Sequence, residues 1–223
     1  MVRLSEALEN SNSLVLRSMH GWLTKFICHA HPKQGVVGNR HKEDGSVVTQ
    51  EEFDRDEKMA HVCPFVKDSI DSNNFWIESS DLTRYQSAQI AVRLNELIDE
   101  FVHTSPEFDP FTVGHAAPAE HATKCFLLYF PNFGLEKSHM GSLTEIDELH
   151  ETFKPRYMER GLALGQFYPG CAQEGVYSGQ EFKSLISPAP AFAIRYLAKH
   201  DSLFNRPGSA GRKFYEKYFP SEN

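Results

Sequence analysis

A chain of 223 residues with 40% hydrophobic and 24% charged residues is long enough to bury a full core. Its formal net charge of -7 argues against nucleic acid or an anionic membrane surface as its main partner. No apolar run approaches the ~20 residues of a spanning helix, and MVRLSEALENSNS does not read as a signal peptide.

The expectation is therefore a cytoplasmic protein, in a reducing compartment, with no membrane. A small-molecule substrate is the expected partner, and a homodimer is left open as its assembly. Cys28, Cys63, Cys125 and Cys171 form no C-x-x-C pair, so neither a zinc ribbon nor a thioredoxin motif is present. The 17 Phe and 8 Tyr supply ring surface for a dense core or for the wall of a pocket.

In chain order, Val15, Met19, Trp22, Leu23, Phe26, Ile27 and Ala30 recur at spacings of three and four, which predicts a helix ended by Pro32. Residues 33–59 are polar and charged and read as an exposed loop. NFWIE, from Asn74 to Glu78, is a short aromatic and β-branched strand. Asp81 or Thr83 then caps a helix with the stripe Ile90, Leu94, Leu97, Ile98 and Phe101. PEFDPFTVGHAAPAEHA reads as loop, and KCFLLYF as a buried strand.

Ser142 and Glu145 form a capping box before Leu143, Ile146, Leu149, Phe153 and Tyr157. GLALGQFYPG is a strand running into a turn. Ser187-Pro188 then predicts a helix start, with Phe192, Tyr196, Leu197 and His200 as its stripe. GRKFYEKYF closes the chain as a short helix. The pattern gives one α+β domain over residues 1–223, with a small, mostly antiparallel sheet flanked by helices.

Chemistry centres on AHVCPFVKD. Cys63 has three readings: a small buried hydrophobe, a thiolate nucleophile beside His61, or a soft axial ligand to haem iron. A second constellation, His115, His121 and Cys125, has the donor types for a non-haem metal but matches no standard spacing. Arg195 borders the core and wants an anion. Asp201, six residues on, is one candidate partner; a haem propionate would be another.

The motifs Val62-Cys63-Pro64-Phe65-Val66, Gly165-Gln166-Phe167-Tyr168-Pro169 and Ser187-Pro188 with Pro190, Ala193-Ile194-Arg195 and Asp201 resemble an uncharacterised bacterial and fungal domain family. The likeness runs from about Ala60 to Phe219. Tyr168 stands where that family usually has His, which makes it a candidate polar group of the site. A looser similarity of arrangement is to the YqcI/YcgG family, which includes haem-dependent guanidine N-hydroxylases.

That resemblance implies a haem cofactor held by Cys63. The oxidation of a small nitrogen-containing metabolite would follow, an N-oxygenase reaction in specialised metabolism being one form. Phe65, Trp76, Phe167 and Tyr168 would border the pocket, Arg195 would hold a carboxylate, and Tyr168 and Asp201 would be the catalytic candidates. The alternatives are a non-catalytic ligand-binding or accessory protein, and a metal enzyme built on His115, His121 and Cys125.

Overall fold

One five-stranded mixed sheet organises the chain, in the order β1 (Val2–Arg3), β2 (Phe75–Ser79), β3 (Cys125–Tyr129), β5 (Ala191–Tyr196) and β4 (Leu162–Phe167). The β2–β3 pair is parallel and the other three pairs are antiparallel. The computed structural model describes residues 1–28, 62–83, 86–133, 143–173, 183–199, 201 and 211–220. The polar segment 33–59, His61, Pro32, Ser142 and His200 lie outside the described residues. Among the described residues, no helix is long and apolar enough to cross a membrane.

Both faces of the sheet are covered, so β3 is buried at every position. On one face, α4 (Ser87–His103) and α7 (Thr144–Glu159) pack over Phe126, Leu128, Phe192 and Ile194. On the other, α1 (Leu4–Asn10), α2 (Leu14–Trp22) and α3 (Pro64–Asp71) pack over Phe75, Ile77, Cys125 and Leu127. Two four-residue helices, α5 (Pro110–Val113) and α6 (Ala119–Ala122), occupy the segment expected to be loop. The last helix, α8 (Arg212–Tyr218), rests on α7 through Tyr215 and Tyr218 against Met158.

The helical stripes follow their spacing. In α4, Ile90, Leu94, Leu97, Ile98 and Phe101 are all buried. Its approach carries the reach-back half of a capping box: the Thr83 N–H donates to Gln86 Oε1 at 3.0 Å. The C-terminal end of α4 is tied to β3 by Lys124, whose buried ammonium donates to the carbonyls of Phe101, Thr104 and Pro106 at 2.8, 2.7 and 2.6 Å. A cation there also complements the negative end of the helix dipole.

After Trp22, α2 continues as a π-helical turn, Leu23–Ile27, in which the Cys28 N–H reaches back five residues to the Leu23 carbonyl at 3.0 Å. Leu23 and Ile27 are both buried.

The segment after Ser187 corrects the sequence reading. Ala191–Tyr196 is β5, an inner strand, and not a helix. Prolines at 188 and 190 push Ser187 and Ala189 toward extended backbone, which the chain then continues. Phe192, Ile194 and Tyr196 alternate along the strand, but Phe192 and Tyr196 also stand four apart, and that spacing mimicked a helical stripe. Arg195 consequently projects from a strand and not from a helix.

Candidate functional site

The face covered by α2 and α3 contains the site. Ala163 pairs with Arg195, and Gly165 with Ala193, so β4 and β5 meet here through small side chains. Little fills the space above them. A cavity of about 310 Å³ results, walled by Trp22, Ile27, Cys63, Val66, Phe167 and Arg195. It runs along the edge strand β4, lined by Ala163 to Phe167, and reaches His150, Glu151 and Lys154 of α7.

Cys63 is the residue that caps α3, with Pro64 at the first helical position. Pro64 lacks an N–H, so the helix start loses nothing by placing it there. The Cys63 side chain makes no capping hydrogen bond, and its N–H donates to the Ile27 carbonyl at 3.4 Å. The sulfur is thus left to the cavity, at the positive end of the α3 dipole.

Two more thiols share this corner. Burial pushes Cys28 up to about 11, with Cys63 and Asp71 adding to the effect. Burial likewise pushes Cys125 up to about 12, with Cys63 adding, while a hydrogen bond from Ser69 and the charge of Arg195 oppose it. All three thiols are free.

Arg195 and Asp201 form a bidentate pair. Nη1 donates to Asp201 Oδ2 at 2.8 Å and Nη2 to Oδ1 at 2.6 Å. Asp201 Oδ2 also accepts the Ala198 N–H at 2.8 Å. The guanidinium lies 4.8 Å from the Phe65 ring centroid. Burial alone would lower the Arg195 pKa, but Asp201 outweighs it and holds the guanidinium above its ordinary range. On the far wall, Trp22 meets Phe167 edge to face at 5.2 Å, and its indole N–H donates to the Ile186 carbonyl at 2.8 Å.

The fold therefore brings together Cys63, Phe65, Phe167, Arg195 and Asp201. It places Tyr168 and Trp76 on the opposite face of the sheet. Tyr168 packs into the core under α7, and its hydroxyl donates to Asp147 Oδ2 at 2.7 Å. Burial and that carboxylate both hold the phenol above its ordinary range. Trp76 packs against the same core and lies 4.8 Å under the Arg3 guanidinium. The position after Phe167 reverses sides because successive strand residues alternate.

The proposed metal trio does not assemble. His115 and His121 flank Phe108, with ring centroids 5.6 and 5.0 Å away, whereas Cys125 packs on the α2–α3 face. Among the described residues, no group of three His, Cys, Asp or Glu side chains is placed to hold a metal ion.

Several wall residues carry no functional signal in the sequence: Trp22 and Ile27 read only as members of a helical stripe, and Cys125 lines this cavity and does not join His115 and His121. His150 stands at a core position of α7, between Ile146, Phe153 and Tyr157 at helical spacing, and that polar interruption of an apolar stripe was a readable signal.

No curated protein and no solved structure gives a significant match to the chain. A family model does, over residues 56–223, which takes in Cys63, both β4 and β5, and the Arg195–Asp201 pair. The chain belongs to that family, DUF6875, a domain of unknown function.

Proposed function

We propose that the cavity is a small-molecule oxidation site in which Cys63 would hold a haem through its sulfur. The observation that carries this reading is the placement of Cys63. It starts α3 without spending its sulfur on the cap, and it opens on the cavity. The soft donor, the positive helix end and the apolar walls suit such a group. When bound, a thiolate-ligated haem supplies oxygen activation, because the thiolate donates electron density to the iron.

The chain's own residues divide the remaining work. Trp22 and Phe167 form an aromatic wall that keeps water from the apolar end. Asp201 fixes Arg195, whose two end nitrogens it already takes. Arg195 therefore acts as an oriented positive charge near the thiols rather than as a clamp for a propionate. The looser YqcI/YcgG resemblance supports a small nitrogen-containing metabolite as substrate, and four free thiols suit a reducing cytoplasm.

A second reading draws on the size of the cavity. Ligand sites run from ~300 to ~1,000 Å³, and about 310 Å³ suits a compact ligand with no cofactor. Cys63 then only packs.

Haemin added to the purified protein distinguishes the two. The haem reading expects a Soret band and, in the reduced CO form, the absorption of thiolate ligation. Cys63→Ala should lose that absorption, and Cys28→Ala and Cys171→Ala should keep it. An unchanged spectrum in Cys63→Ala, or no uptake by the native protein, refutes the haem reading, and no uptake favours the second.

A further inference from the structure

The polar end of the cavity holds a group that the oxidation reading leaves idle. His150 is 6% exposed, and its Nε2 lies 2.9 Å from the Leu164 carbonyl oxygen on edge strand β4. A carbonyl only accepts, so Nε2 carries the hydrogen. In the neutral ring, Nδ1 is then a lone-pair acceptor.

That Nδ1 is buried and has no hydrogen-bond partner, and His150 lines the cavity. Glu151 Oε1 stands 3.5 Å from Nδ1, too far for a hydrogen bond, and the Glu151 side chain is 74% exposed. Burial holds the imidazole below its ordinary pKa, and Lys154 adds to this. The Leu164 carbonyl, Glu151 and Asp147 act the other way without reversing it. A buried acceptor left unpaired costs free energy that a ligand donor would recover.

The surroundings state which donor fits. Glu151 and Lys154 are the charged residues of α7 that line this end, and they are of opposite sign. Beyond them Leu164, Phe167, Trp22 and Ile27 supply apolar wall, Gln166, Gln173 and Ser184 add uncharged polar groups, and the charges of Arg195 and Asp201 are already paired with each other. An ionic ligand would lose hydration along most of that length.

We propose that His150 Nδ1 is the polar anchor of the cavity, accepting a hydrogen bond from the N–H or O–H of a neutral, largely apolar ligand. The ligand's body then lies along β4 toward Trp22 and Phe167. This rests on the second reading above, in which the cavity of about 310 Å³ takes one compact ligand and no haem.

Indole and N-methylindole test it, because they share the ring system and only indole carries the donor. Each is titrated by calorimetry into native protein and into His150→Phe, which keeps a ring in place without an acceptor. In parallel, the 15N resonance of His150 Nδ1 is followed in the native protein. The anchor predicts that indole binds native protein about tenfold more tightly than N-methylindole, a 1.4 kcal/mol difference. It also predicts that indole shifts the Nδ1 resonance and that His150→Phe binds both compounds equally.

Equal binding of the two by native protein, or an Nδ1 resonance that indole leaves unmoved, overturns the anchor while the cavity stands. Binding of neither overturns both. Should His150→Phe fail to fold, the native affinity ratio and the resonance still decide.

Discussion

Replacing Asp201 with Ala strips a buried guanidinium of its counter-ion. The Asp201 side chain is 4% exposed and that of Arg195 17%, so water offers little replacement. The carboxylate accepts both Arg195 end nitrogens and the Ala198 N–H. Breaking a buried pair by removing one partner costs about 3–5 kcal/mol. For a chain of this size, each kcal/mol lowers Tm by about 2–4 °C, so a fall of about 6–20 °C is expected. Urea unfolding followed by tryptophan fluorescence measures the loss directly. The double variant Arg195→Met with Asp201→Leu should regain much of it, because two apolar groups leave no unpaired charge. A loss below about 1 kcal/mol, the range of an exposed pair, would refute the claim that the pair is desolvated.

His150 should make the fold acid-sensitive. Its folded pKa lies below the unfolded value of about 6.5. The unfolded chain therefore binds the extra proton first. The stabilising contribution is full above pH 6.5 and shrinks as pH falls toward and through the folded pKa. Stability measured against pH should drop less steeply below 6.5 in His150→Phe, and an identical slope would sink this assignment. Cys28, half-buried and pushed up to about 11, should remain protonated at pH 8 and alkylate slowly with iodoacetamide, as peptide mass spectrometry would read; rapid labelling would contradict the raised pKa. Gly161→Ala should cost at least about 1–2 kcal/mol in chemical denaturation. Gly161 has φ +73°, and a Cβ there would stand 2.5 Å from Pro110 Cβ. A neutral result would mean that the α7–β4 turn can relax.

Where local spacing and burial coincide, the sequence was legible. The apolar stripes of α2, α4 and α7 each face one side, so a period near 3.6 survives in the residue order. NFWIE, KCFLLYF and GLALGQF were short enough and bounded enough to read as strands, whereas α3, which begins at Pro64, was not among the expected helices. β5 was not legible. Its residue order fits two periods at once, Phe192, Ile194 and Tyr196 at spacing two and Phe192 and Tyr196 at spacing four, and its place between β3 and β4 settles its form.

The composition of the site depended on the same point. Phe167 and Tyr168 are adjacent in sequence, yet strand geometry sends one to the cavity and the other to Asp147. Cys28, Cys63 and Cys125 are far apart along the chain and share one corner only because the π turn, α3 and β3 converge there. Residue order carries local periodicity and helix caps. Which distant side chains share a space depends on strand order and on the side of the sheet each helix covers, and those follow from packing the whole chain.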